Sequence, residues 1–592
     1  MRLADKLRNA APYGRTWAIT EFDNVKDNEG QKREYTWPDL VQLLTTNAPL
    51  ATDNSRAEKN RGACFCPASF RKPSKLGADA VSVSALVFDY DSTIARVPFS
   101  HAIKPFEGYR WLAYASWSNT AEQDGHTGIH KYRIVVPLAS SVPVHDKNKT
   151  WELVAQACFW KLSRGFADRN MLKACQVWFK PRQGPNRVYW SATSEGDAPL
   201  YDWTELAEMG RELPTEKVLR SIRSARLEVA AHTLSQRIQT AKEGGGWSWP
   251  GCDVSDDEGQ TSRPVDVSLV PGPREPWKQT VGMMGHLRAD AVYLLNGPTK
   301  AGKTAWALNV AEGAARSSDW PVLYVSAELG TDEVCARLLA IRSQRPVWWS
   351  DIVNGRIPVE RVNEGAERLC EDLPNFYAWA PRYGERTSDA LEAMVQAVSA
   401  EHGCVPVFVV LDYLQRFGEP DERGDMRMGI RQASGRVREL CRLSTKRPNV
   451  DWWPKDKHWP GAAALVVSST SRSDYRHFSD SNKVQFAGQE QGKDETTLDH
   501  LLAAGKESGE LEYDAVVIAA LATDPTDPKR PTDKRRGIVR VIRARMMPGG
   551  RFTRYLFDGP TGRWDEVGTK VVSTTTNTRP PKDGSSKKRG RR

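Results

Sequence analysis

The stretch Ala291-Val292-Tyr293-Leu294-Leu295-Asn296, running into Gly297-Pro298-Thr299-Lys300-Ala301-Gly302-Lys303-Thr304, decides how this chain is read. The first six residues predict a buried strand, and Ala305-Trp306-Ala307-Leu308-Asn309-Val310 predicts a helix directly after the loop. Strand, G-x-x-x-x-G-K-T and helix in that order are the context a phosphate-binding P-loop requires. The glycines let backbone N–H groups wrap a phosphate, and the helix N-terminus adds a favourable dipole. Lys303 is then expected on the β- and γ-phosphates and the Thr304 hydroxyl on Mg²⁺. The alternative is a plain Gly-rich turn, which the flanking strand and helix argue against.

Working outward, the 592 residues leave room for about two to four domains. Lys and Arg number 84 against 74 acidic residues, a net +10. That balance favours a polyanionic partner, most commonly nucleic acid, over a merely solvated basic surface. The nine cysteines are scattered, and Cys64-x-Cys66 has no second pair at zinc-ribbon spacing. An odd count without a framework implies reduced thiols and a cytoplasmic protein. Met1 to Tyr13 lacks the apolar segment of a signal peptide, and no apolar run has membrane-spanning length.

Composition divides the chain into five parts. Residues 1–205 are rich in Trp and Tyr, with β-like runs at Ser84 to Tyr90 and Tyr132 to Leu138. Residues 206–243 have helical patterning and read as a connector, and 244–276 are Gly-, Asp- and Pro-rich, as a flexible linker would be. Across 277–567 strands alternate with helices, which predicts an α/β domain with a mostly parallel sheet. Residues 568–592 are a disorder-prone tail ending in Lys587-Lys588-Arg589-Gly590-Arg591-Arg592.

Four further strand ends carry chemistry behind the P-loop. Val322 to Ala327 predicts a strand delivering Glu328, placed to orient an attacking water as general base. Val407 to Leu411 delivers Asp412, a Walker-B acid for Mg²⁺. Ala463 to Ser469 ends in hydroxyls suited to sensing a γ-phosphate. Gly537 to Arg545 is a β-run ending in Arg543 and Arg545.

These pieces carry a resemblance. With Arg337-Leu338-Leu339-Ala340, Leu411-Asp412-Tyr413-Leu414-Gln415, Ser468 to Arg472 and Glu507 to Ala515, the segment from about 280 to 565 resembles the DnaB-type replicative helicases. That family has a RecA fold and works as rings. The resemblance implies ATP and Mg²⁺ as cofactors, with Lys303 and Thr304 on phosphate and metal, Glu328 as catalytic base and Asp412 on the metal. It also implies that Arg543 and Arg545 reach into a neighbouring subunit's ATP, with a solvated strand face as the alternative. Two residues depart from the pattern: Ser469 stands where the family usually has Gln, and Arg-x-Arg replaces Lys-x-Arg. The family's helical collar is missing, and 206–243 reads as a small substitute. DNA contacts are expected on pore loops, from Arg416, Arg423, Arg427 and Arg431 in one stretch and Arg472, Arg476, Lys483, Lys493 and Lys506 in another.

The N-terminal part has its own signal. Ser84 to Asp91 predicts a strand ending in Asp89-x-Asp91, a carboxylate pair able to hold divalent ions. With Tyr114 to Thr120, Lys131 to Leu138, Asp168 and Asn186 to Trp190, residues of about 60–200 resemble the archaeo-eukaryotic primase superfamily, an α+β fold. The resemblance implies a metal site at Asp89 and Asp91, with Asp168 as third acid, using Mg²⁺ or Mn²⁺. Arg133 and Arg187 are candidates for an incoming triphosphate, or for structural salt bridges. Ser118-Asn119 stands where the family has Ser-His; His126 and His130 are possible substitutes.

Together the resemblances imply a bifunctional replication protein of phage or plasmid type. A hexameric ATP-dependent 5′–3′ DNA helicase would carry a primase-like domain making primers on single-stranded DNA. Its setting would be the cytoplasm of a bacterium or phage-infected host. Its partners would be single-stranded and forked DNA, a replication initiator or a polymerase, and no membrane. Two rivals are a helicase whose N-terminal domain is a non-catalytic DNA- or origin-binding module, and a non-unwinding RecA-like DNA-dependent ATPase.

Overall fold

The computed structural model describes residues 15–46, 53, 55–72, 77–91, 94–123, 129–242, 289–297, 300–343, 346–414, 417, 426–444, 446–469, 515–523, 534–544 and 552–567. The predicted linker and tail, 244–276 and 568–592, lie outside them. Among the described residues no helix is long and apolar enough to cross a membrane.

The N-terminal body is α+β. Its strands are β1 (Trp17–Phe22), β2 (Gln31–Tyr35), β3 (Cys64–Cys66), β4 (Ala68–Phe70), β5 (Ala80–Tyr90), β6 (Leu112–Ala115), β7 (Tyr132–Pro143), β8 (Trp178–Phe179) and β9 (Ser191–Thr193). They form two sheets, β2-β1-β3-β8 and β4-β5-β7-β6-β9. One core that includes Phe65, Phe88, Tyr114 and Phe159 joins them. The antiparallel β5–β7 register sets Asp89 opposite Arg133. Helix α1 (Trp37–Thr45) starts with a reciprocal capping box between Thr36 and Asp39, which satisfies backbone N–H groups the first turn leaves unpaired.

Three helices follow: α2 (Thr204–Arg211), α3 (Glu216–Ala225) and α4 (Leu227–Lys242). The C-terminal half then builds one sheet from β10 (Ala291–Gly297), β11 (Val322–Ser326), β12 (Phe376–Trp379), β13 (Val407–Asp412), β14 (Ala462–Ser469), β15 (Val517–Thr523), β16 (Lys534–Ala544), β17 (Phe552–Asp558) and β18 (Arg563–Glu566). Its order is β12-β11-β13-β14-β10-β15-β16-β17-β18. The pairs from β12 to β15 are parallel and those from β15 to β18 antiparallel. This is the mixed α/β class the sequence predicts.

Alternation along these strands explains the layers. Tyr293, Leu295, Tyr324, Phe408 and Leu465 enter one core; Val292, Leu294, Leu323, Val409 and Val466 enter the other. A parallel sheet needs both faces covered, so its strands read as unbroken apolar runs. On the first face lie α5 (Lys303–Ser317), α6 (Thr331–Arg342) and α7 (Val359–Asp372); on the second lie α8 (Ser388–Glu401) and α9 (Met426–Cys441).

The stretch read as a connector and as a collar substitute is built into these layers. α3 places Ile222 and Ala225 in the second core, whereas α4 places Leu227, Ala230, Leu234 and Ile238 in the first. Between them Arg226 makes a single antiparallel backbone bridge to Tyr377 of β12. The segment therefore straddles the β12 edge and covers backbone groups an edge strand would otherwise expose. The Arg226 guanidinium is buried, pairs with Glu401 of α8 and lies 5.7 Å from the Tyr377 ring centroid. The N-terminal body is tied to α7 by Arg96–Glu367 at 3.1 Å and His101–Glu371 at 2.6 Å.

Candidate functional site

β10 delivers Gly297 and α5 begins at Lys303, so regular structure fixes both ends of the Gly-rich loop. Pro298 and Thr299 lie outside the described residues. Both glycines answer to steric demands. Gly302 has φ +85°, and a Cβ there would stand 3.0 Å from the Trp564 ring and 3.1 Å from the Phe557 ring. A Cβ on Gly297 would stand 2.7 Å from the Leu521 carbonyl oxygen on β15. Lys300 adopts φ +65° and Ala301 is buried. The β17–β18 hairpin is pinned to α5: Asn309 donates to the Gly562 carbonyl at 2.9 Å and accepts from the Trp564 N–H at 3.2 Å.

Lys303 Nζ donates to the Gly297 carbonyl at 2.7 Å, closing the loop on itself. Burial lowers its pKa to about 8, against the charges of Asp412 and Glu328.

The acids arrive from the two strands beyond β14. In the β11–β13 pairing Ser326 stands level with Asp412, and the Ala327 N–H donates to the Asp412 carbonyl at 2.8 Å. Glu328 therefore leaves the sheet beside Asp412, and it is solvent-exposed. Asp412 is buried, and its Oδ2 accepts a 2.7 Å hydrogen bond from the Tyr324 hydroxyl. Burial raises the Asp412 pKa, against hydrogen bonds from Tyr324 and Thr304; the Glu328 charge adds to the rise and Lys303 opposes it. Lys303, Thr304, Glu328 and Asp412 thus share one electrostatic site at the C-terminal ends of three parallel strands, where open α/β sheets bind ligands.

The site's residues suit Mg²⁺. Asp412 Oδ1 is buried without a well-formed hydrogen bond, and the Thr304 hydroxyl faces the same carboxylate. Two hard oxygen donors of this kind match the ion's preference.

Other expected residues are placed less fully. Ser469 stands opposite Gly297 in the β14–β10 register. Arg543 pairs through its backbone with Ile518 of β15, and Arg427 and Arg431 lie on α9; the side chains of these four are not described. Arg416, Arg423, Arg472, Arg476, Lys483, Lys493, Lys506 and Arg545 lie outside the described residues.

The sequence reading passed over three groups here. Tyr324 is a lone phenol in an aliphatic strand, which was the available signal. Arg337, quoted only as part of a motif, lies 4.0 Å from the Trp349 ring centroid within the field of Tyr324, Glu333, Asp412 and Glu328. Asn296 is wholly buried at the end of β10, its amide without a hydrogen-bond partner.

In the N-terminal body the three predicted acids do converge. The Asp168 N–H donates to the Asp89 carbonyl at 2.7 Å, and the charges of Asp168 and Asp91 both act on Asp89. The carboxylates of Asp89 and Asp168 are engaged, however. Arg133 Nε lies 3.1 Å from Asp89 Oδ1, and Nη2 donates to Oδ2 at 3.2 Å. Arg133 is thus the structural salt bridge of the two roles open to it. Burial raises the Asp89 pKa, and Arg133 opposes the rise. Asp168 caps a 3₁₀ turn, accepting from the Asn170 N–H at 2.9 Å and the Asn170 amide at 3.2 Å. Among the described residues no group of three or more His, Cys, Asp or Glu is disposed to hold a metal.

Asn119 is wholly buried. It donates to the Ala121 and Val188 carbonyls at 2.6 and 2.8 Å and accepts from the Lys131 N–H at 3.0 Å. It staples the chain internally. His130 is buried against Arg96 at 2.9 Å, and His126 lies outside the described residues.

A family profile described as an AAA domain matches residues 258–445. No curated protein matches the chain. Solved structures similar to it include an isolated ATPase domain, at 19% identity and TM-score 0.36, covering 48% of this chain and 86% of that one. A DnaB-like replicative helicase described with its primase interactions is 17% identical at TM-score 0.37, covering 61% and 81%. A KaiC-like protein from Pyrococcus horikoshii is 11% identical at TM-score 0.29, covering 51% and 98%.

Proposed function

We propose that the C-terminal half is an ATP-driven motor that moves on DNA, a DnaB-type helicase in line with the motif order of its sequence. The observation that carries this reading is the convergence of Lys303, Thr304, Glu328 and Asp412. The loop N–H groups and Lys303 would hold the phosphates. Thr304 and Asp412 would hold Mg²⁺, which when bound neutralises phosphate charge. Exposed Glu328 would orient water for attack, a role that buried Asp412 cannot share. Arg543 and Arg545 would complete the site of a neighbouring subunit, so hydrolysis would depend on assembly into a ring, taken to be a hexamer. Loops bearing Arg427, Arg431, Arg472, Arg476 and Lys506 would grip single-stranded DNA, with 5′–3′ unwinding of forks in the cytoplasm of a bacterium or phage-infected cell. Initiator or polymerase partners would belong to the same setting.

The experiment is unwinding of a forked duplex with ATP and Mg²⁺. Wild type should separate the strands and Lys303→Ala should not. Hydrolysis without separation on forks of either polarity would favour a non-unwinding ATPase.

For the N-terminal body, one observation favours the non-catalytic nucleic-acid-binding reading over primer synthesis. Arg133 sits on both oxygens of Asp89, and Asn119 is spent internally. A metal ion there would have to displace Arg133 from a buried pair. Incubation with single-stranded template, nucleotides and Mg²⁺ or Mn²⁺ should give no oligonucleotide. Products lost in Asp89→Ala/Asp91→Ala would restore the primase reading.

A further inference from the structure

A cavity of about 290 Å³ opens where the N-terminal body, α2–α3, α8 and the Trp-rich insertion before β14 meet. Its wall carries Lys161, Arg164, Arg223 and Arg226 against Glu212 and Glu401. Two of the cations are committed: Arg226 to Glu401 and Arg164 to Glu228. Lys161 and Arg223 have no carboxylate partner among the described residues. The charges of Arg169 and Arg220 also bear on Arg223, so the positive field extends beyond the wall itself. Arg226 is buried with its Nε unpartnered.

The wall also supplies flat surfaces. Trp160 and Trp452 line it, and the Arg223 guanidinium lies 5.5 Å from the Trp160 ring centroid. Trp452 is held by Trp453, whose ring centroid is 6.2 Å away. Ring faces recognise a base by stacking, and Arg and Lys recognise phosphate. The volume falls at the lower end of small-molecule sites.

We propose that this cavity is a second nucleotide site, separate from the Gly-rich loop, taking a phosphate-bearing molecule with a flat base. Lys161 and Arg223 hold the phosphate, and Trp160 and Trp452 flank the base. This gives the Trp452-Trp453 insertion a role that the motor motifs leave unassigned. The proposal does not rest on the motor reading.

The test is titration of the full-length Lys303→Ala protein with AMP and, separately, with pyrophosphate, followed by tryptophan fluorescence and calorimetry. AMP should bind saturably at one site per chain and change the fluorescence. Adding Lys161→Ala, on an exposed side chain, should weaken AMP at least tenfold. Arg223→Ala should do the same, and Arg223→Lys should retain part of the affinity. No saturable AMP binding, or binding indifferent to Lys161 and Arg223, would overturn the proposal. So would equal affinity for pyrophosphate and AMP, because the base would then contribute nothing.

Discussion

Tyr324 on β11 and Asp412 on β13 are joined across adjacent parallel strands by a 2.7 Å hydrogen bond, phenol to carboxylate. The bond fixes one oxygen of a buried acid and leaves the other, Oδ1, turned to the side where Thr304 stands. It thus links the packing of the sheet to the chemistry at its end.

Tyr324→Phe keeps the ring and removes the hydroxyl. Without that donor the Asp412 pKa should rise further and metal should bind less well. The expected result is a higher Mg²⁺ concentration for half-maximal ATP hydrolysis, with a stability loss of about 1–2 kcal/mol. An Mg²⁺ titration and a thermal melt measure the two. An unchanged Mg²⁺ requirement would remove Tyr324 from the site.

Lys303 makes opposite predictions for stability and for binding. Its folded pKa is about 8, below the ordinary 10.5. Between those values the unfolded chain keeps a proton the folded chain has released. This group's contribution to stability therefore rises with pH across that window, as the cost of burying the charge is relieved. Phosphate binding needs the charge, so nucleotide affinity should fall above about pH 8, by no more than about tenfold per pH unit. Binding of a fluorescent nucleotide at pH 7.5 and 9.5 checks this. Lys303→Arg should flatten the dependence if it binds at all.

Gly302→Ala puts a side chain where φ is +85° and two aromatic rings stand at 3.0–3.1 Å. It should cost about 1–3 kcal/mol of stability and displace Phe557 or Trp564. Loss of nucleotide affinity should accompany it. Denaturant unfolding and nucleotide titration measure both, and a neutral substitution would contradict the close packing of the hairpin on the loop.

Arg226→Ala leaves Glu401 buried without its partner, a change expected to cost about 3–5 kcal/mol. Arg226→Met with Glu401→Gln should recover much of that loss, because no uncompensated charge remains. If the pair holds the α3–α4 segment on the β12 edge, the single variant should also become protease-sensitive between α3 and α4. Equal stability of single and double variants would argue against the pairing.

The parallel sheet was legible because strands buried on both faces are continuous apolar runs, and each ends in a chemically distinct residue. Gly297, Glu328 and Asp412 could be assigned to strand ends from such runs alone. Other features depend on register and tertiary partners that periodicity does not encode. The helical pattern of 206–243 showed apolar stripes without showing that Ile222 and Leu227 serve opposite faces of one sheet. The role of Arg133 was undecided because its pairing with Asp89, 44 residues away, follows from the β5–β7 register. Asn119 looked like a displaced ligand. Its three partners, at 121, 131 and 188, come together only in the fold.

The central claim is that Glu328 activates water at a site built by Lys303, Thr304 and Asp412. Its most direct test is steady-state ATP hydrolysis on single-stranded DNA by Glu328→Gln, alongside nucleotide affinity. The account predicts unchanged or tighter ATP binding with hydrolysis slowed by about 10²-fold or more. Hydrolysis at the wild-type rate would contradict it.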